Sequence, residues 1–243
     1  MRLLIIRHGD PNYELDTLTQ RGWKEAELLS ERLSKQSIQY FYLSPLGRAK
    51  DTASLTLKKM NASAIECDWL QEFPAEIDRP DRTDRKMIAW DWLPSDWMQE
   101  ASHFYYDRWY QTGTMKGGNV GELYTNVTKK FDDLLAQHGY VRDGMLYRVE
   151  KSNRDTLAFF CHFGLECVLL SHLMNVSPMI LWHHSCAAPS SVTSLFTEER
   201  REGTALFRMN YFGDISHLYA GNAVPSFAAR FCETWDCWEE RHD

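Results

Sequence analysis

The stretch that decides the fold is Arg2-Leu3-Leu4-Ile5-Ile6-Arg7-His8-Gly9, near the start of the 243-residue chain. Residues 2–6 form a continuous apolar run of strand length, which is typical of a strand buried on both faces of a parallel sheet. In α/β proteins, binding sites gather at the carboxyl ends of such strands. We therefore expect Arg7, His8 and Gly9 to lie at a sheet edge where a site can form.

Helical and strand patterns alternate after this first strand. The spacing of apolar residues predicts helices over 19–36, with Thr19 as the N-cap, over 45–60, starting on Pro45, over 121–138 and over about 165–174. Strands are predicted over 40–43, 64–67 and 156–161, followed by an antiparallel pair over 192–198 and 206–212. This alternation predicts an α/β fold, a three-layer sandwich with a mostly parallel central sheet flanked by helices.

Residues 68–118 interrupt the alternation. They hold five of the nine Trp residues of the chain and show no sustained periodicity. We expect a single domain over 1–243 with an inserted cap, or lid, at about 68–118.

Two features of this insertion bear on substrate choice. Charged residues repeat at Asp78-Arg79, Asp81-Arg82 and Asp84-Arg85-Lys86. The repeat could present cations to a polyanionic substrate, but a solvated face on which opposite charges neutralise one another is favoured. The aromatic residues at 104–106 and 109–110 fit a wall against a leaving group and packing of the cap on the sheet equally well.

Composition excludes several classes of protein. With 27 basic and 34 acidic residues, the chain lacks the positive charge that drives binding to nucleic-acid backbones. No apolar run approaches the ~20 residues that span a bilayer, and no signal-peptide pattern is seen, so we expect no membrane contact and a cytoplasmic location. The six Cys residues are too sparse for a disulfide scaffold, and packing is favoured over a disulfide or metal role for Cys232 and Cys237.

Arginine and histidine residues at predicted strand ends are the candidates for chemistry. The chain has no dinucleotide-binding, P-loop, serine-hydrolase, metalloprotease or EF-hand motif, and no Cys precedes an Arg by six positions. The guanidinium groups of Arg7 and Arg48 match the oxygens of a phosphoryl group, whose charge needs fixed donors during transfer. This pattern favours phosphoryl chemistry.

Four segments in order strengthen that interpretation: Arg7-His8-Gly9, the residues Leu18-Thr19 with Gly22, the segment 44–53 (SPLGRAKDTA), and Phe160-Cys161-His162-Phe163-Gly164. Together they resemble the histidine phosphatase superfamily, also called phosphoglycerate mutase-like. The resemblance covers residues 1–72 and 120–218, and residues 211–218 are similar to the closing segment of the family.

The resemblance implies roles for individual residues. His8 would attack phosphorus to give a phosphohistidine, while Arg7, Arg48 and His162 hold the phosphoryl oxygens. The proton donor of the family follows the third strand, where Glu72 stands here, and Glu122 and Asp10 are the alternatives. A neutral imidazole nitrogen attacks without a metal-activated water, so we expect no metal and no cofactor.

A second histidine group, His183 and His184 near Cys186, could line the pocket or bind a metal. Its spacing is not diagnostic of a metal site, and a loop or core position is favoured.

The segment after His8 separates the functions within the family. Glycolytic mutases continue with RHGES and a GWxDxxL segment, whereas Asp10-Pro11-Asn12-Tyr13-Glu14 here leads into Asp16-Thr17-Leu18-Thr19. We therefore predict a histidine acid phosphatase-like phosphomonoester hydrolase that acts on a small phosphorylated substrate or on a phosphoprotein. A phosphoglycerate-type mutase and a non-catalytic phosphate-ligand-binding protein are the alternatives, and the sequence predicts no oligomeric state.

Overall fold

The computed structural model describes residues 1–82, 84–226 and 234–236, so Cys232 and Cys237 lie outside the described residues. The strands are β1 (Arg2–Arg7), β2 (Pro11–Asn12), β3 (Thr17–Leu18), β4 (Tyr40–Leu43), β5 (Ile65–Glu66), β6 (Glu76–Ile77), β7 (Met87–Ile88), β8 (Tyr140–Asp143), β9 (Leu146–Val149), β10 (Thr156–Cys161), β11 (Val192–Arg201) and β12 (Thr204–Asp214). The helices are α1 (Gln20–Leu33), α2 (Gly47–Met60), α3 (Pro94–Trp97), α4 (Gly113–Lys116), α5 (Val120–Gln137), α6 (Phe163–Met174), α7 (Pro178–His184) and α8 (Ser216–Ala220).

The central sheet has the strand order β5-β4-β10-β1-β11-β12-β9-β8. The first four of these strands run parallel to one another, and the remaining neighbours pair antiparallel, so the sheet is mixed. The predicted α/β architecture, a sheet flanked by helices, is confirmed. None of the helices in the described ranges is long and apolar enough to cross a bilayer, and the cytoplasmic location stays a prediction.

Strand β1 is buried on both faces, as its apolar run predicts. Leu3 and Ile5 pack on one side of the sheet, in the cluster that includes α5, α6 and most of the insertion, whereas Leu4 and Ile6 pack on the side of α1. Because successive side chains of a strand point to opposite faces, only a continuous apolar run fits between two helical layers.

The helix starts follow from local hydrogen bonds. The prediction of Thr19 as N-cap of α1 is confirmed, since its side chain accepts the Gly22 N–H. The predicted start of α2 at Pro45 is wrong. The Ser44 hydroxyl accepts the Leu46 N–H (3.2 Å) and Leu46 stays extended, so this helix begins at Gly47.

The elements that the sequence did not predict include the antiparallel hairpin β8–β9 and the helix α7. The hairpin extends the sheet at the far edge from β5, and α7 follows α6. The pair β11–β12 was predicted, and both strands are longer than expected because they continue into the exposed ends at Arg201 and Thr204.

The insertion joins the main core instead of lying on it as a separate layer. Trp109 is fully buried, and its ring centroid lies 5.4 Å from that of Trp182 and 5.2 Å from that of Tyr124. The packing interpretation is confirmed for Trp109, while the side chains at 104–106 are exposed.

Opposite charges within the repeat of the insertion neutralise one another, as predicted. Arg82 pairs with Asp84, and Lys86 pairs with Asp78. The expectation of a solvated face is wrong for Arg79 and Asp81. These two side chains are buried because Arg79 donates to the Asp81 carboxylate (2.9 Å) and to the Trp90 carbonyl (2.9 Å), which compensates both charges inside the insertion.

We expect Trp109→Ala to destabilise the whole domain. The substitution leaves a cavity where the insertion meets Trp182, and such losses cost about 3–5 kcal/mol of unfolding free energy. Urea unfolding followed by tryptophan fluorescence and by circular dichroism measures the change. Tyr105→Ala, at an exposed aromatic residue of the same insertion, is the control and should cost about 1 kcal/mol or less. Non-coincident transitions in the wild type would show instead that 68–118 unfolds as a separate unit.

Candidate active site

The parallel strands bring two histidines together at one edge of the sheet. His8 follows β1 and His162 follows β10, and the register that pairs Arg7 with Cys161 places the two residues side by side. The His8 N–H donates to the Cys161 carbonyl (3.0 Å), and the ring centroids of the two histidines lie 5.1 Å apart. Both side chains are almost completely buried.

One hydrogen bond fixes the tautomer of His8. Its Nδ1 lies 2.7 Å from the Gly9 carbonyl oxygen, which can only accept, so Nδ1 carries the proton. Burial lowers the pKa of His8 well below its ordinary value, and the neighbouring charge of Arg7 lowers it further. The ring is therefore neutral near pH 7, and Nε2 holds a free lone pair.

His162 is also neutral, and one of its nitrogens has no protein partner. Burial lowers its pKa well below the ordinary value. Nε2 lies 2.8 Å from the Ser44 hydroxyl, whereas the buried Nδ1 makes no hydrogen bond within the described part of the chain. A buried polar atom without a partner is costly, so Nδ1 is suited to a polar ligand in the site.

The two arginines approach from different elements. Arg7, the last residue of β1, donates to the Ala187 carbonyl and lies over the Phe163 ring, 5.5 Å from its centroid. Arg48, in the first turn of α2, donates through Nη1 to Asp16 (2.6 Å). The charges of both guanidinium groups act on His8 and His162, which places all four predicted residues in one cluster.

The loop after His8 depends on close backbone packing. A Cβ on Gly22 would lie 2.2 Å from the Asp10 carbonyl oxygen, so only glycine lets α1 approach this loop. The Gly9 N–H donates to the Thr52 hydroxyl (2.9 Å), which ties the loop to α2 as well. The glycines of the sequence motifs therefore hold the loop in place.

Glu72 joins the cluster from the start of the insertion. Its Oε1 accepts the N–H groups of Phe73 (2.9 Å) and Leu165 (3.1 Å). Burial raises its pKa, while these donors and Arg7 act in the opposite direction. The side chain is thus held beside the arginines with one oxygen engaged by the backbone.

The two alternative proton donors, Asp10 and Glu122, make their contacts elsewhere. The Asp10 carboxylate accepts from the hydroxyls of Thr19 (2.5 Å) and Ser226, so it is directed toward α1 and the C-terminal segment. Glu122 is exposed at the start of α5 and lines a groove with Asn126. Of the three carboxyl groups, Glu72 has the contacts with the cluster.

His183 packs in the core, as favoured from the sequence. Its Nε2 accepts the Trp92 N–H (3.0 Å), its Nδ1 donates to the Met179 carbonyl (2.7 Å), and both ring nitrogens are thereby used. His184 lies against the ring of Trp97. Among the described residues, no group of three or more His, Cys, Asp or Glu side chains is placed to hold a metal ion.

The sequence analysis missed two buried carboxyl groups near the cluster. Glu25 of α1 accepts the Asp10 N–H (2.7 Å), and burial raises its pKa to about 7. Glu166 of α6 is almost fully buried, and burial raises its pKa to about 7 as well, partly offset by Arg7. Each stands in a helical stretch where a glutamate is read as a surface residue, so only the packing reveals them.

Comparisons with known proteins show the family of this chain. A family model of the histidine phosphatase superfamily (branch 1) matches residues 3–210, and the chain therefore belongs to that superfamily. A search of curated proteins finds no match.

Solved structures share the fold at low identity. A mycobacterial glucosyl-3-phosphoglycerate phosphatase is 18% identical with a TM-score of 0.58, over 87% of this chain and 98% of that one. A phosphoserine phosphatase from Entamoeba histolytica, in complex with phosphoserine, is 16% identical with a TM-score of 0.56, over 89% and 98%. A protein described as mycobacterial hydrolase 1 is 16% identical with a TM-score of 0.59, over 88% and 98%. At these identities the likeness shows the fold alone.

We expect the buried Glu166 to make stability depend on pH. Its carboxyl ionises near pH 4.5 when unfolded and at about pH 7 when folded, so the unfolded state loses its proton first as the pH rises. The wild type therefore loses up to about 3 kcal/mol between pH 4.5 and 7, and Glu166→Gln avoids this loss. The difference in unfolding free energy between variant and wild type should grow across that window in urea titrations. A constant difference for Glu166→Gln would contradict a neutral buried carboxyl.

Proposed function

We propose that the protein is a metal-independent phosphomonoesterase of the histidine acid phosphatase type, with His8 as nucleophile. The observation that carries the proposal is the hydrogen bond from His8 Nδ1 to the Gly9 carbonyl, because it leaves Nε2 unprotonated and able to attack phosphorus. The two arginines beside this nitrogen are suited to the charge of a phosphoryl group.

The first step transfers the phosphoryl group to His8. Arg7, Arg48 and His162 Nδ1 bind its oxygens while the lone pair of Nε2 forms a bond to phosphorus. The bond from phosphorus to the ester oxygen breaks in line with this attack. Glu72 gives its proton to the leaving oxygen, which departs as an alcohol, and the raised pKa of Glu72 keeps a proton available for this transfer.

The second step releases phosphate. Water attacks phosphorus, the carboxylate of Glu72 takes a proton from the water, and the bond between phosphorus and Nε2 breaks. His8 recovers its lone pair and Glu72 its proton, so the enzyme returns to its starting state.

A small phosphorylated molecule is the favoured substrate. Arg7, His8 and His162 are almost completely buried, so a phosphoryl group must reach them through a confined entrance. The names of the structural neighbours, a phosphoserine phosphatase and a glucosyl-3-phosphoglycerate phosphatase, support phosphomonoesters of small molecules as the general class of substrate.

We expect His8→Ala to abolish turnover. Removal of a covalent nucleophile should lower kcat with p-nitrophenyl phosphate by at least about a thousandfold, in the presence of EDTA throughout. Rapid acid-free quenching of the wild type with a labelled substrate should trap phosphate on the protein that is stable to base and labile to acid, and His8→Ala should trap none.

Other outcomes would favour the alternatives. Full activity of His8→Ala would show that another residue is the nucleophile. Isomerisation of 3-phosphoglycerate by the wild type would favour a mutase, and phosphate binding without turnover of any ester would favour a non-catalytic phosphate-binding protein.

We expect Glu72→Gln to impair turnover according to the leaving group. A glutamine cannot protonate the departing oxygen, so kcat for an alkyl phosphate should fall by about a hundredfold or more. p-Nitrophenolate leaves without protonation, and the first step with p-nitrophenyl phosphate should be much less affected in burst measurements. Equal losses for both substrates would mean that Glu72 supports the site without donating the proton.

A further inference from the structure

The tip of the hairpin after His8 covers Arg48. Residues 13–16 connect β2 to β3, and Asp16 binds the start of α2 with both carboxylate oxygens. Oδ1 accepts from Arg48 Nη1 (2.6 Å), and Oδ2 accepts the Gly47 N–H (2.6 Å). The ring of Tyr13 lies on Arg48 as well, with its centroid 5.4 Å from the guanidinium carbon. Arg48 is thus enclosed by a carboxylate and an aromatic ring from the same loop.

The Asp16 carboxylate is charged and fixed in position. Partial burial acts to raise its pKa, but the Gly47 N–H and Arg48 prevail and lower it. The backbone of Asp16 has a φ of 46°, and a Cβ on Gly47 would lie 2.0 Å from the Asp16 carbonyl oxygen. Because backbone packs on backbone here, the tip is held against the start of α2, and the two hydrogen bonds of the Asp16 carboxylate keep it on Arg48.

This arrangement limits the positive charge available to a substrate. His8 and His162 are neutral, and among the described residues Arg7 and Arg48 are the guanidinium groups whose charges act on both histidines. Asp16 already compensates Arg48, and a phosphoryl dianion brings two further negative charges. The combined negative charge of the dianion and Asp16 exceeds the combined positive charge of the two guanidinium groups. A third negative charge on the substrate is therefore repelled.

The tip also lies against a group that binds the substrate in the proposed mechanism. Arg48 holds the phosphoryl oxygens there, and the side chains of Asp16 and Tyr13 both contact Arg48. These two side chains are partly or largely exposed, so they are accessible from solvent. We infer that the alcohol part of a phosphomonoester bound to Arg48 comes near a negative charge and an aromatic face.

We propose that Asp16 makes this site select phosphomonoesters whose alcohol part carries no second anionic group. The inference rests on the proposed function of the His8 site and names its substrate class. Like charges at short distance reject a competitor effectively, and specificity often depends on such repulsion.

Two ligands of equal length test the selection. Glycerol 3-phosphate and 3-phosphoglycerate differ in that the second has a carboxylate in place of a hydroxymethyl group. We expect the His8→Ala protein, which cannot turn them over, to bind glycerol 3-phosphate at least about tenfold more tightly in calorimetric titrations. Adding Asp16→Asn should bring the two affinities within about threefold of each other. The same ratio is expected for kcat/KM in the proteins that retain His8.

Matched variants separate charge from structure. Asp16→Glu keeps the charge and should keep the selectivity even if overall affinity falls. Glu31→Gln removes one negative charge from an exposed ion pair with Lys59. Because Lys59 lies roughly 16 Å along α2 from Arg48, this change should leave the ratio of affinities unchanged. Raising the ionic strength should reduce the selectivity of the His8→Ala parent protein, because the repulsion is electrostatic.

Three results would overturn the inference: equal affinities in the His8→Ala protein, an unchanged ratio after Asp16→Asn, or no binding of glycerol 3-phosphate. The ratio is measured without turnover. A wild-type protein that binds selectively but hydrolyses neither ligand would therefore contradict the proposed function and leave the selectivity of Asp16 standing.

Discussion

The parallel register of β4, β10 and β1 is the constraint on which the site depends. It aligns three strand ends, so that Ser44, His162 and His8 leave the sheet at the same edge. The backbone then continues the pairing for one more step, with His8 donating to Cys161 and Ser44 donating to Phe160. A shift by one residue would turn each side chain to the other face of the sheet, so the buried β-strands fix the site as firmly as they fix the core.

Burial shifts the pKa values of the basic and the acidic members of this cluster in opposite directions. It keeps the histidines neutral, because a buried imidazolium beside Arg7 and Arg48 would be costly. It also raises the pKa of the carboxyl groups of Glu72 and Glu166, although cations stand nearby. The same low-dielectric surroundings thus lower the pKa of the imidazoles and raise the pKa of the carboxyl groups, which favours the neutral form of both.

The sequence predicted the parts of the molecule whose signals are local. The apolar run of β1, the cap at Thr19 and the motifs around His8, Arg48 and His162 follow from spacing alone. The start of α2 was wrong because Ser44 and Asp16 bind its first N–H groups from outside the helix. Asp16 and Glu166 were missed for the same reason, since their importance comes from neighbours distant in the chain. The Asp143-Gly144 turn, where Gly144 has a φ of 60°, is a local signal for the β8–β9 hairpin.

Glu72 links the insertion to the cluster of His8, His162, Arg7 and Arg48. This residue stands at the point where the insertion leaves the sheet, and the next residue, Phe73, is fully buried. A Cβ on Gly164 would lie 2.7 Å from both Glu72 Oε1 and Trp90 Nε1, so the insertion, the acid and α6 meet at one position without spare room. Sequence changes in the insertion therefore act on the position of the Glu72 carboxyl group. The buried Arg79–Asp81 pair contributes to this packing by binding the Trp90 carbonyl.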